Sequence, residues 1–178
     1  LKNFRKDNKI TPIVFMGYMN TFESLGAELF MKKATSTGLD GILIVDMPPE
    51  ESTDFSREAN KFDIDIIRLI APTTSAKRAK EICSQCSGYV YYISVKGITG
   101  AGNLNAEEVI GKVGVLRKLT DLPIAIGFGI KDAESASSVM NVADGIVAGS
   151  VFVDLIGKNE NVIKNVALKT RELSEVLN

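Results

Sequence analysis

Short apolar runs alternate with longer segments of helical period along most of the chain. The runs are rich in Ile and Val and lack the strict polar alternation of a half-exposed sheet. They predict strands at residues 11–17, 41–46, 65–71, 88–94, 123–127 and 145–148. The segments between them predict helices at residues 21–36, 52–60, 76–86, 106–119, 133–141 and 162–177, with a short helix at 151–156. The pattern is typical of an α/β protein whose parallel strands are covered on both faces.

Residues at the predicted helix ends agree with this division. Ser52, Ser75 and Asn105 are predicted N-caps, and Gly38 is placed where a left-handed residue ends a helix. No linker, low-complexity segment or run of like charges divides the chain. We therefore expect one domain over residues 1–178.

Glycines follow the last two predicted strands. Gly127 and Gly129 end one apolar run, and Gly145 and Gly149 frame the next, which leads into the short helix. Strand–helix repetition fits either an open doubly wound sheet or a (β/α)8 barrel. A barrel builds a phosphate site from the loops after its last two strands and a helix N-terminus, so the glycines favour a TIM barrel that binds a phosphorylated small molecule.

The number of predicted strands is smaller than a barrel requires. A complete barrel takes about 250 residues and eight strand–helix units, whereas these 178 residues hold six predicted strands. Because the phosphate-site strands should be the seventh and eighth, we expect the strands here to be the third to eighth, and Leu1 in place of Met agrees with this. The third and eighth strands would then have unpaired edges, which favour aggregation or self-association.

Composition excludes several classes of function. The chain has 21 basic and 22 acidic residues and a net charge of -1, so no global field attracts nucleic acid or an anionic membrane. No apolar run approaches the roughly 18 residues of a membrane span. The N-terminal residues are polar and basic without an apolar stretch behind them, unlike a signal peptide. We expect a cytoplasmic protein.

The chain contains no histidine, which limits its chemistry. Ser-His-Asp and Cys-His catalysis and histidine-ligated metals are excluded, so an acid or base must be a carboxylate, lysine or tyrosine. Cys83 and Cys86 have the spacing of a redox pair or half a zinc site, but other ligands are lacking and they close a predicted helix. We interpret them as ordinary thiols, and we expect no metal site.

Four segments carry a recognisable pattern in a fixed order. They are TPIVFMGYMN at 11–20, GILIVDMPPEE at 41–51, GYVYYIS at 88–94 with KGITGA at 96–101, and the pair GFGI at 127–130 and AGS at 148–150. Each is short, but together they resemble the alpha subunit of tryptophan synthase over essentially the whole chain. The first three resemble that family's third, fourth and sixth strands with the loops that follow.

The resemblance implies a lyase that cleaves indole-3-glycerol phosphate into indole and glyceraldehyde 3-phosphate without a metal or organic cofactor. In the family, indole passes to a beta subunit whose pyridoxal phosphate joins it to serine, within an alpha2-beta2 heterotetramer. Asn20 resembles a residue on the loop face that meets this partner, although an asparagine in a turn needs no such role.

The family's principal catalytic groups are a glutamate ending the second strand and an aspartate in the next loop. By the resemblance both lie upstream of Leu1, so we expect these 178 residues alone to show no lyase activity. Tyr91 and Thr99 match auxiliary catalytic positions; Thr99 resembles the threonine that bonds the catalytic aspartate when a loop hinged by Gly97 and Gly100 closes. A turn threonine is the alternative.

The resemblance also implies the substrate contacts. The phosphate-binding positions are Gly100, Gly129, Gly149 and Ser150. The positions around the indole ring are Phe128, Tyr91, Leu43, Ile70 and Val147, with Met16 nearby. For Leu43, Ile70 and Val147, plain core packing explains the residue type equally well.

Three interpretations remain open. Asp46, the last residue of the second predicted strand, either is functional, or caps the Pro48–Pro49 turn or pairs with a cation. Lys96 would suit a Schiff-base aldolase, although a lysine in an exposed loop keeps its ordinary charge. A non-catalytic barrel fragment that binds phosphate or a partner protein is a third possibility.

Overall fold

The computed structural model describes residues 1–93, 106–127 and 129–177. Six strands occur in it: β1 (Val14–Gly17), β2 (Gly41–Ile44), β3 (Asp65–Ile70), β4 (Val90–Ile93), β5 (Ile124–Gly127) and β6 (Gly145–Val147). The helices are α1 (Lys2–Asp7), α2 (Met19–Glu23), α3 (Ala27–Thr37), α4 (Thr53–Lys61), α5 (Ala76–Cys83), α6 (Ala106–Leu116), α7 (Ala133–Met140), α8 (Ser150–Gly157) and α9 (Val162–Glu175), with a 3-10 turn at Pro49–Glu51.

All six predicted strands are confirmed, with shorter ends. The prediction of one helix over residues 21–36 was wrong, because Gly26 adopts a φ of +75° and separates α2 from α3. Helix α1 was not predicted because its short polar segment has no apolar period; it contains no buried residue. The first helical signal in the sequence therefore covers two helices.

The predicted caps have mixed outcomes. Gly38 ends α3 with a φ of +81°, as expected. Ser52 precedes α4, but its Oγ lies 2.8 Å from the Pro49 carbonyl oxygen and 2.7 Å from Gln85 Oε1, so its one hydroxyl proton is shared between these acceptors and it does not cap that helix. The predicted capping role of Ser75 stays a prediction, and Asn105 lies outside the described residues.

The described chain divides into two compact units. The first comprises Leu1–Leu69 and Lys77–Val90, and the second Ile70–Ala76 and Tyr91–Asn178. The prediction of a single domain stays a prediction. In the first unit β1, β2 and β3 are parallel neighbours, with Phe15 beside Ile42 and Ile42 beside Ile66. In the second unit β5 and β6 are parallel, with Ala125 beside Gly145.

The core of the first unit lies between its sheet and helices α3 and α4. Alternate strand residues Ile42, Ile44 and Ile66 belong to one cluster with helix residues such as Met31 and Phe55. Each such side chain contributes about 1.5–3 kcal/mol by leaving water. All four residues of β2 are buried, which confirms for this strand the prediction of two covered faces. In the second unit Ile124, Ile126, Val113, Ala136 and Val139 are 0% exposed.

A repeated hydrogen-bond pair fixes the amino ends of alternate strands. Asp40, immediately before β2, accepts the Ile13 N–H on Oδ2 at 2.6 Å and returns its own N–H to the Ile13 carbonyl at 3.0 Å. Ser87, ahead of β4, forms the same pair with Ile66, at 2.8 Å and 2.9 Å. We call these reciprocal contacts strand-entry pairs.

The second unit contains a third strand-entry pair. Asp144, immediately before β6, accepts the Ile124 N–H at 2.7 Å and donates to its carbonyl at 2.9 Å. The two aspartates also have cationic partners: Arg5 of α1 lies 2.5 Å from Asp40, and Arg117, just past α6, lies 2.5 Å from Asp144. Each pair residue is followed by glycine in the sequence. The pairs set the register at which one strand enters beside another.

The two cysteines are free thiols, as the sequence analysis expected. Cys83 is buried at the end of α5, and the thiol of Cys86 donates to the Tyr89 carbonyl at 3.0 Å. Burial raises the pKa of Cys86 to about 12, with a smaller opposing effect from its hydrogen bond to the Arg68 backbone. A thiol with such a pKa is a poor nucleophile at neutral pH.

No helix in the described part of the chain is long and apolar enough to cross a membrane.

We expect Asp40→Ala to lower the free energy of unfolding by about 1–2 kcal/mol, because it leaves the Ile13 N–H without its acceptor and removes the carboxylate partner of Arg5. Ser87→Ala should lower the free energy of unfolding by about 1 kcal/mol, since the lost hydrogen bond joins a neutral hydroxyl to the neutral Ile66 N–H. The control is Asp54→Ala, whose carboxylate is 86% exposed and meets only Arg57 in the described chain; it should change stability by less than about 0.5 kcal/mol. Urea unfolding followed by circular dichroism measures all three, and equal losses would contradict a special role for the strand-entry pairs.

Stability should fall at alkaline pH in a way that depends on Cys86. The folded thiol keeps its proton up to a pKa of about 12, whereas the unfolded thiol ionises near pH 8.5. The contribution of the protonated Cys86 thiol to the free energy of unfolding is therefore complete below about pH 8.5 and is lost as the pH rises toward 12. Between pH 9 and 11 wild type should lose about 1–3 kcal/mol more than Cys86→Ala under reducing conditions. The measurement is the free energy of unfolding of both proteins as a function of pH. If the two curves ran parallel between pH 9 and 11, the prediction would be wrong.

Candidate functional site

The end of β6 leads directly into the N-terminus of α8. Gly149 is the N-cap, and no side chain in the described parts of the chain caps this helix. The Gly149 carbonyl accepts the N–H groups of Phe152 and Val153, at 3.0 Å and 3.2 Å. The amides of the first helical turn, at Ser150 and Val151, have no acceptor within the helix. They form a donor site at the positive end of the helix dipole.

This helix end suits an anion for two further reasons. Gly149 and Ser150 are both exposed, so a ligand can reach the amides. The first turn carries no acidic residue that would repel a phosphate. These are the conditions under which a helix N-terminus binds phosphate. The predicted phosphate contacts of Gly149 and Ser150 stay predictions.

Gly129 lies in the loop after β5, in the same unit. It is exposed and has a φ of +79°, a left-handed conformation that favours glycine. A larger residue would strain this turn. The loop conformation explains the glycine independently of any ligand, so its predicted phosphate contact stays a prediction.

Tyr91 of β4 and Gly127 of β5 form a close contact. The phenol ring lies across the Cα of Gly127, so that a Cβ placed there would overlap Oη, Cζ and Cε2 of Tyr91. The bare backbone of Gly127 is therefore needed to seat the ring. The neighbouring Tyr92 is 1% exposed and lies within the electrostatic influence of Glu108 of α6. Because successive residues of a strand point to opposite faces, Tyr91 lies on the other face of β4.

The Tyr91 side chain is half-buried, and this burial raises its pKa. The phenol therefore keeps its proton at neutral pH and can donate a hydrogen bond to an oxygen of a ligand. One half-exposed aromatic with a polar tip, beside glycine, suits a flat heteroaromatic ligand. Val147, at the end of β6, is half-buried and apolar.

The other predicted indole contacts have different environments. In the first unit, Leu43 is 3% exposed and alternates with the core residues Ile42 and Ile44, whereas Met16 is 62% exposed. Ile70, the last residue of β3, is 2% exposed and alternates in phase with Ile66. Alternation thus gives Ile70 a packing role. The indole contacts stay predictions.

Asp46 has a role that the sequence analysis did not include. Its Oδ1 accepts the N–H of Met19, the first residue of α2, at 2.7 Å. The carboxylate therefore supplies the cap that α2 lacks from its own N-cap residue Tyr18. This hydrogen bond joins the loop after β2 to the helix after β1. It explains the aspartate without the alternatives of a Pro48–Pro49 cap or a cation partner.

Several predicted positions lie outside the described residues: Lys96, Gly97, Thr99, Gly100 and Phe128. Their assigned roles stay predictions. Sequence reasoning missed the seat of the Tyr91 ring on Gly127 and the arginine Arg68 inside the apolar strand β3. The signal for the second was available, since a charge within the run DIIRLI is unusual for a buried strand.

Comparison with known proteins extends over the whole chain. The family model of the tryptophan synthase alpha chain matches residues 1–178. Among curated relatives, the tryptophan synthase alpha chain of Thioalkalivibrio sulfidiphilus is 47% identical over 160 residues, which are 90% of this chain and 60% of the relative. That of Polynucleobacter necessarius is 42% identical over 179 residues, covering 99% of this chain and 68% of the relative. The chain thus spans about three fifths of the first of these relatives.

Solved structures agree with the sequence comparison. The tryptophan synthase subunit alpha of Legionella pneumophila superposes with a TM-score of 0.86 at 30% identity, over 99% of this chain and 66% of that one. A structure of the tryptophan synthase a2b2 complex of Pyrococcus furiosus gives a TM-score of 0.88 at 32% identity, over 98% and 71%. The likeness confirms the predicted α/β fold of the TIM-barrel class. Family model, relatives and structures agree that the chain belongs to the tryptophan synthase alpha chain family.

Proposed function

We propose that the chain contributes the phosphate-binding side of a lyase that cleaves indole-3-glycerol phosphate into indole and glyceraldehyde 3-phosphate. The observation that carries this proposal is the exposed N-terminus of α8, which no described side chain caps and which follows Gly149. In the same unit, the Tyr91 ring seated on Gly127 supports an aromatic substrate. Family membership supports the reaction class.

The reaction requires proton transfers that these side chains only assist. Carbon 3 of the indole must be protonated, and the glycerol hydroxyl must lose its proton as the carbon–carbon bond breaks. By the resemblance, two carboxylates carry these steps, and no position of the 178 residues matches them. We assign binding and orientation to α8 and Tyr91: the helix amides fix the phosphate, and the phenol donates to an oxygen of the substrate or of a catalytic carboxylate. No metal or organic cofactor is part of this proposal.

We further propose a tryptophan synthase beta subunit as the partner, in an alpha2-beta2 assembly in which pyridoxal phosphate belongs to the partner. Support comes from the similar structure of the tryptophan synthase a2b2 complex of Pyrococcus furiosus. In the first unit the end of β1 and the start of α2 expose Met16 (62%), Tyr18 (59%) and Asn20. An exposed apolar and amide surface of this kind suits protein contact. A cytoplasmic location stays a prediction.

Binding and turnover can be tested separately. We expect the 178-residue polypeptide to bind glycerol 3-phosphate in calorimetric titrations, and Ser150→Glu to weaken binding at least tenfold, because a carboxylate would stand at the first turn of α8. Ser137→Glu, on the exposed surface of α7, adds the same charge elsewhere and should leave the affinity unchanged. Equal affinities of the two variants would contradict the phosphate site.

The same polypeptide should release no indole from indole-3-glycerol phosphate in a spectrophotometric assay, even at concentrations that saturate binding. Turnover above the uncatalysed rate would show that the 178 residues contain an acid and a base for the reaction. It would therefore refute the proposal that they do not. Such turnover would not contradict the phosphate site, which the titrations test separately. Failure of the catalytic proposal and failure of the binding proposal are therefore distinguishable.

Gly127→Ala tests the seat of Tyr91. The added methyl group would displace the ring, and we expect a loss of about 1–3 kcal/mol in stability with weaker binding of an indole phosphate analogue. The control is Gly145→Ala, whose Cβ would lie 3.9 Å from the Cβ of Ala125, an ordinary contact; it should be nearly neutral. In a Tyr91→Ala background the cost of Gly127→Ala should largely vanish. Additive losses in the double variant would contradict the contact.

A further inference from the structure

A capping box fixes the start of α7, immediately after the loop that contains Gly129. Asp132 is the N-cap residue, and its Oδ1 accepts the Ser135 N–H at 2.9 Å. In return, the Ser135 hydroxyl oxygen accepts the N–H groups of Lys131 and Asp132, at 3.0 Å and 3.1 Å. The hydroxyl proton is donated to Asp132 Oδ1 at 2.6 Å. One serine side chain thus uses its donor and both of its acceptor positions at a single turn.

Residues 129–132, which we call the Gly129 turn, are held by this serine. The turn begins at an exposed glycine with a φ of +79°. Its second residue, Ile130, is 2% exposed, so an apolar side chain anchors it. The N–H groups of its last two residues are those that Ser135 accepts. Because glycine has the widest backbone freedom of any residue, these neighbouring contacts keep the turn in one conformation.

The N-terminus of α7 is occupied by carboxylates of the chain itself. Besides the Ser135 N–H, which Asp132 accepts, the Ala133 N–H is donated to Glu172 Oε1 of α9 at 3.2 Å. At α8, by contrast, no side chain of the described residues caps the helix. The positive end of α7 is therefore used within the fold, and that of α8 is left for a ligand.

The strand register puts the Gly129 turn beside the start of α8. In the parallel pair of β5 and β6, Gly127 lies beside Val147. Two residues further along both strands, Gly129 comes level with Gly149, the N-cap of α8. Neighbouring strands lie about 4.8 Å apart. The two loops therefore leave the sheet side by side, where one phosphate group can contact both.

We propose that Ser135 is a positioning residue for phosphate binding, an inference that rests on the proposed function. Its hydroxyl keeps the Gly129 turn in the conformation in which the Gly129 backbone meets a phosphate held by the α8 amides. Without the hydroxyl, the N–H groups of Lys131 and Asp132 lose their acceptor, and the turn gains freedom that binding must remove. A turn that is already ordered binds more tightly, because folding has completed this ordering.

The test is a calorimetric titration of the 178-residue chain with glycerol 3-phosphate. We expect Ser135→Ala to weaken binding at least about fivefold, whereas Ser135→Thr, which keeps the hydroxyl, stays within about twofold of wild type. The control is Ser138→Ala, one turn further along α7, whose hydroxyl donates to the Ser135 carbonyl at 2.8 Å; it should keep the wild-type affinity. Wild-type affinity in Ser135→Ala, or an equal loss in Ser138→Ala, overturns the proposal.

An NMR titration separates failure of this inference from failure of the phosphate site. In the wild type, glycerol 3-phosphate should shift the backbone amide resonances of both Gly129 and Ser150. At saturation, Ser135→Ala should keep the shift at Ser150 and lose most of that at Gly129, a change of pattern that a lower stability alone does not produce. A wild-type shift at Ser150 with none at Gly129 overturns this inference alone. No shift at either residue overturns the proposed phosphate site as well.

If Ser135→Ala does not fold, hydrogen exchange of the wild type decides. At ten times the Kd of glycerol 3-phosphate, exchange of the Lys131 and Asp132 amides should slow about tenfold, because the ligand binds only the ordered turn. Exchange rates that do not change with the ligand overturn the proposal.

Discussion

The register of β2, β4 and β6 depends on how each enters beside the strand before it, and a strand-entry pair fixes this at each of the three. At Asp40, Ser87 and Asp144 a side-chain oxygen and a backbone N–H both engage one isoleucine, which lies just before β1 in the first case and within β3 or β5 in the others. Two hydrogen bonds to one residue fix the register more firmly than one, because a slip by a single position breaks both. Since a one-residue slip would also turn every core side chain to the wrong face, the apolar core of each unit relies on these few polar contacts.

The apolar pattern predicted the elements because burial on both faces leaves a continuous signal in the sequence. The strand β2, with all four residues buried, shows this directly. Local signals were less reliable where tertiary contacts compete for the same group. Ser52 has the residue type of a helix cap, yet its hydroxyl binds Pro49 and Gln85 instead. Helix α1 has no apolar period; Arg5 bonds it to the Gly38 carbonyl and to Asp40, which no local pattern reveals.

The candidate site shows the same limit. The glycines after β5 and β6 predicted an anion site because backbone amides at a helix start need no side chain to act. The helix α8 begins at Ser150 after Gly149, and the phosphate contact itself stays a prediction. The environment of Tyr91 could not be predicted, because it depends on a strand that is distant in sequence. Asp46 is a related case. A carboxylate after a barrel strand suggests a functional residue, but here its hydrogen bond with the Met19 N–H organises the start of α2.

The contact between Tyr91 and Gly127 has a consequence for how these two positions can change during evolution. Because the ring occupies the space that a Cβ at 127 would need, position 127 is not free to change while Tyr91 is kept. A relative with alanine at 127 should have a smaller or displaced side chain at 91, and a relative that keeps the tyrosine should keep the glycine. The constraint therefore has a direction: position 91 can change first, and a side chain at position 127 becomes possible only after the ring has been lost or displaced.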